Sequence, residues 1–428
     1  MGLRPDGDAA DRPGAPDRTE ALERTVTRIV RTVVLDDVAT SEQTGTVGEP
    51  TIAVSGKRIM VAGNWYASRS TDGGSTWRFI DPFTEFPSAA GGFCCDQLVH
   101  YCASRKVWIW LLQYAAVDGA NIVRIAVSRT GAPGTWRWWD IAPVDIDPSW
   151  TRQWFDYPDM AESDDQLWIS FNMFDRFDRW QRAVVFTIPL DDLTRTGNLT
   201  RRSWPTTEVG SIRFAQGADD TMWFASHSTD NRELRLFSWA DGAASVREWA
   251  VAIRPWNEDG YSSLGPGNGE WLARADGRIT AGWHTAGVIG FAWCASPEAG
   301  RPHPYIRAAR IDTNTLELID EPDLWSLNGA YAYPAACPNR RGDIGLTACF
   351  GGPTHPAHVV AHLQERTRTW HASIVATSTH APMQGKWGDY LSIRADPSRS
   401  TYWLAAGFVL SGGRDRRNVE PQVVTFAP

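Results

Sequence analysis

This sequence predicts an all-β chain assembled from seven repeats of one four-stranded unit. Three observations carry that expectation. Helical periodicity is nearly absent, while short runs of β-branched and aromatic residues recur between Gly, Asp, Pro and Asn clusters. Seven hairpins of one kind can be aligned, opening near Glu49, Asp96, Asp156, Ser211, Asn268, Tyr333 and Asp389, 47 to 65 residues apart. That period leaves room for two further strands after each hairpin, the content of one propeller blade. A seven-bladed β-propeller is therefore expected, with a six-bladed ring as the alternative.

The hairpins read in order. "PTIAVSGKRIMVAGNWY", "QLVHYCASRKVWIWLLQYA", "PDMAESDDQLWISFNMF" and "SIRFAQGADDTMWFASHS" each give a strand of small residues, a charged or Gly-bearing turn and a more apolar strand. "GEWLARADGRITAGWHT", "YPAACPNRRGDIGLTACF" and "DYLSIRADPSRSTYWLAAGF" repeat the pattern. Two segments have no partner: the β-branched "TRIVRTVVLDDV" before the first unit and "EPQVVTFAP" at the C-terminus. An open ring would leave two free edges, which are aggregation liabilities. Pairing the two segments removes both edges, so closure by the chain's two ends is expected, against a free N-terminal arm.

Composition limits the function. The formal net charge of −8 lacks the basic footprint of a nucleic-acid binder. No apolar run approaches the roughly 18 residues of a membrane span. The first residues, "MGLRPDGDAADRPGAPDRTE", have no apolar signal-peptide core. They read as a disordered tail through about residue 24, followed by a single propeller domain over 25–428. A cytoplasmic monomer is expected, or a secreted one if a leader has been removed. Six cysteines in 428 residues are too few for a disulfide scaffold.

The stretch "STDGGSTW" (70–77) fits a turn held by its own Ser and Asp side chains, with Gly supplying positive φ and Trp packing between sheets. Weaker echoes are "SRTGAPGTW" and "ERTRTW". The first stretch matches S-x-D-x-G-x-T-W, and the chain thereby resembles the Asp-box (BNR-repeat) β-propellers of the sialidase superfamily. The openings "GEPTIAV", "DYPDMA" and "GKWGDYLSI" look like inner-strand openings of those proteins. The resemblance implies that the box lies on the face away from the site and does no chemistry. It also implies a sialidase-like hydrolase with a carbohydrate ligand. The chain departs from sialidases in its blade count and in Glu49-Pro50-Thr51-Ile52, which stands where they carry an Arg-Ile-Pro opening.

In a propeller, the starts of the innermost strands and the ends of the second strands ring one mouth of the central channel. The starts supply Glu49, Asp96, Asp156, Asp159, Arg213, Asn268, Tyr333, Lys386 and Asp389. The second-strand ends supply Asn64, Gln113, Asn172, His227 and His284. From these, Asp96, Asp156, Asp389, His227, His284 and Tyr333 are candidate catalytic residues. Glu49, Asp159, Arg213, Lys386, Trp387 and Trp65 are candidate substrate-binding residues. Paired carboxylates suit glycoside hydrolysis. Glu49, Asp96, Asp156 and Asp389 could instead hold Ca²⁺ in the channel, although no cofactor is required. His227 and His284, placed as equivalents in adjacent units, would suit proton abstraction by a lyase, with Arg213 or Lys386 fixing an acidic group. A non-catalytic glycan binder is the third reading. The adjacent Cys94 and Cys95 fit either a vicinal disulfide or two thiols. "THPAHVVAH", with His355, His358 and His362, reads as a loop and then a strand.

Overall fold

The computed structural model describes residues 27–35, 47–89, 91–411 and 419–428. The expected N-terminal tail lies outside these residues. Seven four-stranded antiparallel sheets form the ring of a β-propeller. Blades 1 to 6 occupy residues 51–80, 93–141, 153–206, 213–252, 279–320 and 330–377. Blade 7 is composite. Its inner three strands are Ser392–Ala395, Trp403–Leu410 and Val419–Ala427, and its outermost is the N-terminal Arg28–Val34. That outer strand runs antiparallel to the C-terminal one, from Arg28 opposite Ala427 to Val34 opposite Gln422. The two chain ends thus close the ring.

Aromatic side chains seal the blades to one another. Trp403 of blade 7 is fully buried, and its Nε1 donates to the Cys337 carbonyl of blade 6 at 3.0 Å. It lies where a Cβ on Gly345 would stand, 2.6 Å from the nearest ring atom, so only glycine fits there. Trp110 and Trp168, also buried, donate to Gln97 and Ser163 within their own blades at 2.8 and 2.7 Å. A buried indole N–H left unpaired costs free energy, which these pairings offset.

A second set of bonds joins the innermost strands around the channel. The Ser392 hydroxyl accepts from Ile52 N, the Thr51 hydroxyl from Val99 N and the Asp159 carboxylate from Phe214 N. The Thr280 hydroxyl donates to the Pro334 carbonyl. Polar side chains at this position thus fasten blade 7 to 1, 1 to 2, 3 to 4 and 5 to 6.

Six of the seven expected hairpins are present. The fifth is displaced. "GEWLARADGRITAGWHT" is not a hairpin: the innermost strand of blade 5 is Ile279–Thr285, which pairs with Val288–Ala295. The turn between them is Ala286-Gly287, both at positive φ. A two-residue turn of this kind usually announces itself with Asn or Asp; Ala-Gly does not, and the charged "RADGR" upstream imitates a turn. Residues 253–278 instead form a long connection over the mouth. Gly269 lies against Ala381 and Gly385 against Ala273, while the Ser263 hydroxyl donates to the Gly351 carbonyl. This strap therefore rests on blade 6 and on the connection into blade 7.

The "STDGGSTW" turn joins the two outer strands of blade 1, at the end away from the mouth. Asp72 Oδ1 accepts from Ser75 N and Thr76 N, both at 2.9 Å, and Gly74 N donates to the Ser70 hydroxyl at 2.8 Å. Gly73 and Gly74 take φ of 78° and 84°. Arg31 of the closing strand donates to the Gly73 and Gly74 carbonyls, tying the turn to ring closure.

Candidate active site

Four carboxylates converge at the mouth, from four consecutive blades. Glu49 immediately precedes the innermost strand of blade 1, Asp96 and Asp156 lie in those of blades 2 and 3, and Asp389 precedes that of blade 7. Opposite this acidic arc, the strap extends Arg274 and Arg278. Arg274 grips Asp389 with two bonds, Nε to Oδ1 at 3.1 Å and Nη2 to Oδ2 at 2.5 Å. Arg278 Nη2 lies 3.4 Å from Asp389 Oδ1, and its Nε lies 2.6 Å from Asp276. The Arg278 guanidinium also lies over the Tyr157 ring, 4.2 Å from its centroid.

Local backbone irregularity helps shape this mouth. In blades 2, 3 and 6 the innermost strand shifts register after Phe93, Asp156 and Ala332. Within the last two shifts, Tyr157 and Tyr333 adopt φ of 53° and 57°, each followed by a proline that can donate no ladder bond. Left-handed backbone at a bulky residue is costly and is commonly retained where it aims a functional side chain. Second-strand ends fix the neighbouring starts. Gln113 donates to Asp156 Oδ1 at 3.1 Å, Asn172 brackets Ser211 at 2.7 and 3.0 Å, and Tyr333 N donates to Cys294 Sγ at 3.2 Å.

Burial, with mutual repulsion, raises the Asp96, Glu49 and Asp156 carboxyls. Desolvation, followed by the Asp156 and Asp389 charges, pushes the Asp96 carboxyl up to about 8, against the partial opposition of Arg274 and Arg278. Glu49, only 3% exposed, is raised well above the usual carboxylate range by burial and then by Asp96 and Asp389. Asp156 is raised by burial, which outweighs its bond from Gln113. The Tyr333 and Tyr390 hydroxyls are buried beside these acids without a hydrogen-bond partner. Such orphaned polar atoms in a native fold call for a ligand or water.

Cys94 and Cys95 are joined as a vicinal disulfide directly before Asp96. Trp65 Nε1 donates to the Cys94 carbonyl at 3.0 Å. Trp65 and Trp154 are half-buried, and Trp180 is exposed. Trp154 stacks on Phe174 at 5.1 Å, and Trp180 lies near Asn172 and Gly210.

Several expected members stand elsewhere. His284 stands near the end of the innermost strand of blade 5, so it lies at the far end of the channel, where its backbone N–H donates to the Gln216 carbonyl. The displaced hairpin start accounts for this. His227 does end a second strand on the mouth side, but it packs between Trp256 and Trp293 at 4.8 Å from each. Burial there pushes it down to about 3, so the ring stays neutral. The two histidines therefore do not form a pair. Trp387 is fully buried between Trp271 and Phe408, whereas Lys386 is exposed. Asp159 and Arg213 lie one layer deeper, paired at 2.8 Å, with Arg213 also donating to Tyr157 and to the Ile279 carbonyl. His358 and His362 lie in an inner strand of blade 6, where His358 bonds Thr347 and Gln422. Asn268 lies in the strap.

The Ca²⁺ expectation for Glu49, Asp96, Asp156 and Asp389 does not fit the donor set. Among the described residues no group of three or more His, Cys, Asp or Glu side chains is arranged to hold a metal ion. Arg274 and Arg278 already supply the positive charge that a cation would bring.

Sequence reasoning missed Arg274, Arg278, Tyr157 and Tyr390. The two arginines were read as turn charges. Tyr157 and Tyr390 adjoin Asp156 and Asp389 in "DYP" and "GDYL", where a tyrosine beside an acid has no pattern that marks it as a site residue.

No protein-family model matches this chain, and no curated protein matches it in sequence. Among solved structures it is similar to the α-L-arabinofuranosidase Arb93A from Fusarium graminearum, at 10% identity and a TM-score of 0.47, covering 93% of this chain and 97% of that one. It is also similar to the Dos1 propeller, at 10% identity and a TM-score of 0.46, covering 94% and 95%. A Hadza microbial sialidase matches at 12% identity and a TM-score of 0.45, covering 78% and 67%. At such identities the likeness concerns the fold alone. No helix among the described residues is long and apolar enough to cross a membrane.

Proposed function

We propose that the mouth is the active site of a glycoside hydrolase working by carboxylate acid–base chemistry. The observation that carries this reading is Asp96, a carboxyl pushed up to about 8 beside Asp156. A carboxyl that keeps its proton at neutral pH can deliver it to the glycosidic oxygen as the C–O bond breaks, and a neighbouring carboxylate can take one from water. Asp96 is the proposed proton donor and Asp156 its partner base. Asp389 helps to raise Asp96, and Arg274 and Arg278, which hold Asp389, oppose that rise in part. Tyr333 and Tyr390 offer hydroxyls to sugar oxygens, and Trp65, Trp154 and Trp180 offer apolar ring faces. The turn at 70–77 and the openings at 49, 156 and 389 support a sialidase-superfamily ancestry for this arrangement.

The lyase reading needs His227 and His284 together, and they are at opposite ends of the channel. The carboxylate reading is therefore preferred.

The test is a panel of aryl and alkyl glycosides. Wild-type protein should hydrolyse at least one of them. Asp96→Asn should lose about 10²- to 10⁴-fold on an alkyl glycoside, which needs protonation of its leaving group, and far less on a p-nitrophenyl glycoside, which does not. Equal losses on both would remove Asp96 from the donor role. Binding without turnover across the panel would favour the glycan-binding alternative.

A further inference from the structure

The channel continues beyond the acidic mouth. Below the Asp159–Arg213 pair it holds a small cavity of about 50 Å³. It then widens, at the opposite face, into a cavity of about 540 Å³ bounded by blades 1, 2, 3, 4, 6 and 7. That volume falls within the range of small-molecule sites.

Two arginines and one carboxylate line this second cavity. The carboxylate, Glu162, has its Oε2 3.1 Å from His100 Nε2, and its charge also acts on Arg394 without closing to an ion pair. The arginines are Arg340 and Arg394, and neither makes an ion pair with another described residue. Arg394 Nη1 donates only to its own neighbour's carbonyl, Ile393 O, at 2.9 Å, and its Nε is buried without a partner. Arg340 Nη1 donates to the Pro397 carbonyl at 2.9 Å. Each guanidinium carries five N–H donors, so most of those on these two remain open. Gln216 adds a side-chain amide at the same wall, its Nε2 bonded to the Met160 carbonyl at 3.2 Å.

Arg394 is half-buried, with one N–H buried and unpartnered, and Arg340 is exposed, so both line the cavity with donors to spare, and the planar guanidinium fork suits a carboxylate or phosphate. We propose that this far-end cavity is a second ligand site, separate from the mouth, that takes a small organic anion through Arg394 and Arg340. The shared chemistry is an oxyanion group, carried by either a carboxylate or a phosphate.

Calorimetric titration of the full chain at low salt with citrate, and separately with pyrophosphate, tests this and tells the two oxyanions apart. At least one probe should bind with one-to-one stoichiometry. Its affinity should fall at least tenfold in Arg394→Gln and in Arg340→Ala, and remain unchanged in Arg274→Gln, which alters the mouth. Ala218→Trp, which fills the cavity from a half-buried wall position, should also abolish binding. It keeps the test decisive, together with the exposed Arg340, if Arg394→Gln fails to fold. Absence of binding by both probes at millimolar concentration would overturn the proposal. So would binding that is lost in Arg274→Gln and kept in the Arg340 and Ala218 variants. Neither result bears on glycoside turnover at the mouth.

Discussion

Replacing Asp96 by Asn should make the protein more stable while lowering its activity on alkyl glycosides, and the size of the gain should depend on pH. The unfolded chain ionises Asp96 near the ordinary aspartate value of about 3.9. The folded chain holds it up to about 8, because the side chain is desolvated and faces Asp156 and Asp389. Between those values the native state binds one proton more than the unfolded state. Stability therefore falls as pH rises through that window, by about 1.4 kcal/mol per pH unit, and levels off above it. By pH 7 the accumulated cost is on the order of 4 kcal/mol, reduced to the extent that Asp156 and Glu49 exchange the proton with Asp96. Asn keeps the shape of the protonated acid and cannot ionise, so Asp96→Asn removes this cost. Urea denaturation of both proteins at unit steps from pH 4 to 9 reads the difference directly. Two stability curves that run parallel over that range would show that Asp96 titrates normally, and the proton-donor role would fall with it.

Arg274→Gln should lower kcat/KM by about 10²-fold, because Asp389 loses the two bonds that orient it; steady-state kinetics at the wild-type optimum checks this, and an unchanged value would make the pair ornamental. Asp72→Ala should lower Tm at neutral pH and leave kcat/KM unchanged. Hydrogen bonds from Thr76 foremost, and from Ser70 and Ser75, hold the Asp72 carboxyl well below the usual range, so its contribution is present above about pH 4 and disappears as pH falls through the depressed native value. The Tm gap between wild type and variant should narrow as pH falls below about 4, and a gap that stays constant from pH 5 down to pH 2 would contradict the assignment. Removing residues 1–35 should lower Tm and cause concentration-dependent aggregation, because the edge at Val419–Ala427 loses the strand that covers it. Differential scanning fluorimetry with light scattering measures both, and unchanged values would mean that the ring closes without its N-terminal strand.

The ring was legible in the sequence because each blade repeats one local pattern: small residues facing the channel, a turn, then a more apolar strand. Ring closure was legible because two β-branched segments had no partner of their own. The acidic half of the site followed from the same repeat, since Glu49, Asp96, Asp156 and Asp389 occupy corresponding starts. The basic half did not. Arg274 and Arg278 sit in a connection that belongs to no repeat, and their charges imitate an ordinary turn. That imitation shifted the apparent start of blade 5, so His284 falls at the end of an innermost strand, at the far end of the channel, rather than at the end of a second strand at the mouth. Tyr157 and Tyr333 were also hard to anticipate as a pair, because their positions depend on a register shift that only strand pairing reveals. The far-end cavity had no sequence signal: Arg340 and Arg394 come from different blades and line one space only once the blades pack around the channel.

The central claim is that one carboxyl at the mouth keeps its proton at neutral pH and spends it on a leaving group. Carbon-13 NMR of protein labelled at the aspartate side-chain carboxyls, titrated from pH 3 to 10 and assigned by difference with Asp96→Asn, measures that proton directly. The account predicts that the Asp96 resonance moves through a midpoint near 8, with a smaller inflection where Asp156 titrates. A single midpoint near 4 would contradict it.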